Sequence, residues 1–250
     1  MNIFGDFHSH TKTSDGFGTL EENLEQAEKQ GLKYLAAVEH GFSTIGFHQT
    51  LEKFKAQQEE ITNLQKTTSV KILRGLETNI TGFDGKLDVD EDTIKQLDVL
   101  HFGTHRFIHS RRNGEYFVFA LVNGFAPRFI RASNTELTEK NTVSYIKVME
   151  KYPIDVVCHL LSRAIVDVKR VCDAAKANGC YIELNEKHID AFEDCIDIVL
   201  ASGVNLILGS DAHRPKDIGK FTMVEDFIDR HHVPKDRIVG IGMEPKFKNK

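Results

Sequence analysis

Short apolar, β-favouring runs alternate along the whole chain with stretches of helical period. The runs predict strands near residues 3–7, 34–38, 71–76, 99–103, 155–158, 180–184 and 205–209. Between them the period changes to 3.6, predicting helices around 20–30, 50–66, 91–97, 140–151, 167–178, 189–202 and 217–230. The first helix carries its own punctuation. Thr19 and Glu22 have the spacing of a capping box, Leu20, Leu24 and Ala27 share one face, and Gly31 closes it. Seven such alternations imply one parallel sheet covered by helices, and over 250 residues the leading form is a (β/α) barrel in a single α/β domain, 1–250. Periodicity does not separate a barrel from an open doubly wound sheet.

One segment breaks the alternation. Residues 106–135 are too long for an ordinary strand-to-helix loop, and they set Arg106, Arg111, Arg112, Arg128 and Arg131 against the single acid Glu115, with Phe117, Phe119, Phe125 and Phe129 interleaved. That composition suits a lid over a site or an interface between copies of the chain. Composition narrows the rest. With 40% hydrophobic and 28% charged residues the chain is neither disordered nor low-complexity. No apolar run is long enough to span a bilayer, and no secretory leader is evident, so a soluble, cytoplasmic protein is expected. A net charge of −5 argues against a broad nucleic-acid footprint. Cys158, Cys172, Cys180 and Cys195 lack paired spacing and read as small buried hydrophobes.

The chemistry lies where the predicted strands end. The first ends in His8-x-His10, whose side chains point to one side of an extended chain, and Asp15 follows in a turn. The second ends at Glu39-His40 and the third at Glu77. His105 follows the fourth, His159 the fifth and Asp211-x-His213 the seventh. In parallel α/β folds active sites form at this edge. The set comprises His8, His10, Asp15, His40, Glu77, His105, His159, Asp211 and His213: six imidazoles and three carboxylates, suited to two or three zinc, manganese or iron ions. Three divalent cations against three carboxylates leave about +3, which favours an anionic substrate such as a phosphate ester. Arg106, Arg163 and Arg214 each closely follow one of these motifs and are candidates for gripping a phosphate. His48, His109 and His188 carry no motif, although His109 and His188 fall near the same edge.

His8-x-His10 with Ser14-Asp15-Gly16, then Glu39-His40, Gly75-Leu76-Glu77, Gly103-Thr104-His105, His159 and Ser210-Asp211-Ala212-His213, resembles the PHP (polymerase and histidinol phosphatase) family over essentially the whole chain. The likeness is greatest to the stand-alone PHP phosphatases. The resemblance implies a distorted (β/α)7 TIM-like barrel and a trinuclear site. It also implies histidinol-phosphatase-like hydrolysis of a small phosphorylated metabolite by a metal-bound hydroxide. It gives His8, His10, Glu77 and Asp211 to one ion, has Glu77 bridge to a second held by His105 and His159, and gives the third to Asp15, His40 and His213. Glu77, Asp211 and His213 would be catalytic. His105 is preferred to His101, which lies within its strand. The chain departs from the family at Glu39, where Asp is common, and at Leu160, where many relatives have proline. Its 106–135 segment also looks longer than in the compact relatives, so no relative's substrate is carried over. Three rivals stand beside this reading. An amidohydrolase-type hydrolase would need a lysine ending the fourth strand, where Leu100-His101-Phe102-Gly103-Thr104 offers none. A 3′–5′ exonuclease or nucleotide phosphoesterase would use the Phe- and Arg-bearing segment as a stacking platform. A non-catalytic binding module would have lost some of the nine residues.

Overall fold

The computed structural model describes residues 1–47, 49–108, 123 and 133–249. Among the described residues eight parallel strands run in sheet order β1 to β8: β1 Gly5–Ser9, β2 Tyr34–His40, β3 Lys71–Asn79, β4 Val99–Gly103, β5 Val156–Val157, β6 Tyr181–Asn185, β7 Leu206–Gly209 and β8 Ile238–Val239. The helices between them, among the described residues, include α1 Leu20–Lys29, α2 Leu51–Leu64, α3 Glu91–Ile94, α4 Thr135–Lys151, α5 Val168–Ala177, α6 Ile196–Ser202 and α7 Thr222–Arg230. The capping box on α1 forms with both of its hydrogen bonds. The expected 189–202 helix is split, because Ile189–Phe192 is a 3-10 turn and Cys195 restarts the chain as α6.

The TIM-like barrel of the sequence reading is the observed fold, with one more strand than the seven expected. β8 is two residues long, too short to show a period. It occupies the gap where the barrel closes. At the lower rim β8 pairs with β7, and Phe4 N–H donates to the Gly240 carbonyl at 2.8 Å. At the upper rim the chain beyond β7 bonds β1 directly, through Asp211 N–H to His8 O and His10 N–H to Ala212 O, both 2.8 Å.

Outward strand residues such as Leu35, Ala37 and Ile72 pack on α1 and α2, and Leu100, Ile182 and Leu206 join the main helix-facing core. Inward residues fill the lower barrel: Ala36, Val38, Leu73, Val99, Val156, Tyr181, Ile207 and Val239 cluster with Phe7 and Phe247. Above this plug the inward positions become ionisable. β1 makes the change with one extra residue: between Asp6 (opposite Leu35) and Ser9 (opposite Ala37) it advances three positions against two. This bulge lets Phe7 join the plug while His8, the next residue, turns into the upper barrel. Of segment 106–135, residues 109–122 and 124–132 lie outside the described residues. So do Arg111, Arg112, Arg128, Arg131, Glu115, His109 and the four interleaved phenylalanines, and His48 likewise.

Candidate metal centre

Glu77, at the upper end of β3 and 1% exposed, stands at the middle of the predicted set. Its carboxylate has five imidazoles around it: His159 Nε2 at 2.6 Å, His105 Nε2 at 3.0 Å, His40 Nδ1 at 3.1 Å, His8 Nε2 at 3.5 Å and His10 Nε2 at 3.8 Å. Asp211 approaches His10 at 3.5 Å, and Asp15 lies 3.3 Å from His40 and 3.1 Å from His213. All nine residues singled out from the sequence therefore converge at one end of the barrel. Glycines make the room. A Cβ on Gly209 would stand 2.0 Å from the Glu183 carboxylate and 2.9 Å from His8 Cβ, and one on Gly103 would meet the His159 ring at 2.9 Å.

The proton positions define what the cluster needs. Asn79 donates to Asp88, which can only accept, so its amide oxygen faces His105 Nδ1 at 2.6 Å. That contact requires the proton on Nδ1, which leaves the Nε2 lone pair of His105 against the Glu77 carboxylate. His8 repeats the pattern: Nδ1 is 2.6 Å from Glu183 Oε1, and the buried Nε2 has no hydrogen-bond partner. Both nitrogens of His10 and Asp15 Oδ1 are likewise buried without one. Lone pairs aimed at carboxylates repel unless a cation stands among them. This donor set, with the outer nitrogens of His8 and His105 anchored and inner ones bare, fits divalent transition ions.

Without cations, protons fill that role. Burial alone would raise the Glu77 carboxyl, but His105, His8 and the His159 hydrogen bond hold it well below the usual carboxylate range. Asp211 is held down in the same way, against burial, by His10 and His8. His40, despite burial, is pushed up to about 10 by Asp15 and Glu77. Burial and the neighbouring His40 press His10 down to about 3, so that its imidazole is neutral.

The three arginines are less well placed. Arg106 is exposed, Arg163 is half-buried beside His188, and Arg214 is exposed with its guanidinium 5.3 Å from the Phe17 ring. The sequence reading also passed over several residues. Glu183 ties His8 Nδ1 to the His159 N–H (2.7 Å), and Asn185 Nδ2 bonds Glu183 at 3.1 Å and Asp211 at 3.3 Å. Lys187 reaches Asp211. His188, which the sequence places near this edge, sets its ring 5.5 Å from that of His159. The signal for Glu183 and Asn185 is the alternation of β6, whose inward positions run Tyr181, Glu183, Asn185. His101 points inward too, 5.2 Å from the His8 ring, with both nitrogens buried and unpartnered.

A PHP domain family model matches residues 6–190, nearly three-quarters of the sequence. The chain belongs to the PHP domain family. Curated relatives of this PHP chain include a probable phosphatase of Clostridium novyi, 28% identical over 96% of this chain and 91% of its own. A probable phosphatase of a Thermoanaerobacter strain is 26% identical with the same coverage. Among solved structures, the histidinol phosphate phosphatase of Lactococcus lactis, complexed with zinc, L-histidinol and phosphate, superposes with a TM-score of 0.57. It shares 13% identity and covers 91% of this chain and 93% of that one. At that identity the likeness is one of fold. Among the described residues no helix is long and apolar enough to cross a membrane.

Proposed function

We propose that this PHP chain is a metal-dependent phosphatase acting on a small phosphorylated metabolite. The observation that carries it is the convergence on Glu77 of imidazole lone pairs whose opposite nitrogens are anchored, in the mouth of a barrel. His8, His10, Glu77 and Asp211 would hold one ion, Glu77 with His105 and His159 a second, and Asp15, His40 and His213 a third. Close sets of donor atoms overlap this division without repeating it: His8, His10 and Asp211 fall together, His40 joins Glu77 and His105, and His10 joins Asp15, His40 and His213. When bound, such ions supply hydroxide at neutral pH and neutralise phosphoryl oxygens, as zinc, manganese and iron all do.

The protein's own groups set the stage. Glu183 and Asn79 keep the outer nitrogens of His8 and His105 protonated, so that the inner ones stay free to bind. Asp211, held ionised, would accept a hydrogen bond from water and orient it toward phosphorus. The phosphatase names of the relatives support the reaction class, and the zinc and phosphate in the Lactococcus structure support the chemistry.

Elemental analysis of gently purified protein should find two or three transition ions per chain. The same protein should release phosphate from members of a panel of phosphorylated metabolites, lose that activity on chelation, and leave a single-stranded oligonucleotide intact. Zero or one ion at full occupancy, or no phosphate released from any ester, overturns the proposal. Cleavage of the oligonucleotide alone would transfer the site to nuclease chemistry.

A further inference from the structure

After β6 the chain turns back so that Lys187 lies over the mouth of the barrel. Its N–H donates to Asn185 Oδ1 at 3.0 Å, which fixes the start of the side chain. The ammonium lies 3.2 Å from Asp211 Oδ1 and 2.7 Å from His213 Nδ1, while the side chain remains 43% exposed. It stands on the solvent side of two residues of the site.

The same Nδ1 lies 2.9 Å from the Asp211 main-chain carbonyl, so it either accepts from Lys187 or donates to that carbonyl, and not both. Lys187 therefore spends at most two donors at the mouth, on Asp211 Oδ1 and His213 Nδ1. The ammonium has three donors, so at least one remains for an anion arriving from solvent. The arginines nearby are placed otherwise: Arg214 stacks over Phe17, and Arg106 is exposed on the loop after β4.

We propose that Lys187 grips the phosphoryl group of the substrate, a phosphate monoester dianion, and fixes its position above Asp211 and His213. This rests on the phosphatase reading and adds to it a residue that selects for phosphate. Lysine suits the task as a mobile point charge with rotatable donors, able to follow oxygens that shift during reaction.

Lys187→Met and Lys187→Arg are compared with the parent, all in the metal-loaded form. In the methionine variant KM for a phosphate ester should rise about ten- to a hundredfold, the value of a hydrogen bond to a charged group, with a smaller change in kcat. Inorganic phosphate, titrated calorimetrically into the loaded protein, should bind more weakly by a similar factor. Ion content and melting temperature should stay unchanged, and the arginine variant should recover part of the loss. Unchanged KM and unchanged phosphate binding overturn the proposal. So does loss of ions from the methionine variant, which would make Lys187 a support for the metal site. If the parent hydrolyses no ester, the functional reading fails by itself, and the phosphate titration still decides Lys187: it must bind the parent, and the methionine variant more weakly.

Discussion

The two ends of the barrel are built from the same strands on opposite principles. At the lower end the inward residues are apolar, and Phe247 closes the floor, its ring 6.0 Å from Phe7 and 6.3 Å from Tyr181. The buried Asp155 there is satisfied: it accepts from Leu100 N–H and Lys248 N–H, both at 2.9 Å. At the upper end, buried nitrogens of His8 and His10 have no hydrogen-bond partner, and the Glu77 carboxylate stands among imidazoles. An unmade hydrogen bond in a buried place costs about 1–3 kcal/mol, so a chain does not accumulate several of them without return. The floor is optimised as a fold. The mouth is optimised for something the fold alone does not contain, and the stable floor holds it in place.

Three changes test this division, beginning with the largest effect. Glu77→Gln keeps the shape of the central side chain but removes half of its acceptor capacity and its charge. Activity should fall by more than about a hundredfold, the upper range for groups that merely support a metal ligand, and ion retention should fall with it. Near-parental turnover and ion content would show that the mouth does not depend on its central carboxylate. Phe247→Ala should do the reverse. The side chain is 8% exposed, and its loss should cost about 3 kcal/mol in chemical denaturation while ion content and kcat remain near parental. Lost ions in that variant would mean that floor and mouth are one cooperative unit. The third effect, reached only at the end of a titration, is a pH dependence at the floor. Burial, opposed by the N–H groups of Leu100 and Lys248, pushes the Asp155 carboxyl up to about 6. Because the folded chain holds this proton more tightly than the unfolded one, the resulting stability is complete below about pH 4 and is lost as pH rises through 6. Asp155→Asn removes the dependence. On metal-stripped protein, the parent's advantage over the variant should shrink by up to about 3 kcal/mol between pH 4 and 7. A constant difference across that window would refute the shift.

Much of this arrangement can be read from the chain, and the exceptions have physical causes. His8, His10, Glu77 and Asp211 are legible because they end apolar runs, where a change from hydrophobic to ionisable residues marks the strand edge. The α1 capping box is legible because its two hydrogen bonds join residues three apart. Glu183 is harder to see, since it lies within a strand and its partners His8 and His159 are 175 and 24 residues away. β8 escapes because two residues have no period, and the β1 bulge because the extra residue shows only in register with β2.

The sequence by itself determined the alternation of strands and helices, the α/β class and the residue types delivered to one edge, since each depends on neighbours within a few positions. Only the tertiary structure decided the rest. How the barrel closes depends on Phe4 meeting Gly240, and which imidazole nitrogens stay bare depends on Asn79 and Glu183. That Lys187, and not Arg214, overhangs the site depends on a turn after β6 and on Phe17 drawing the arginine aside. Apart from the local turn at Lys187, each is a contact between segments distant along the chain, and such contacts exist only once the barrel has closed.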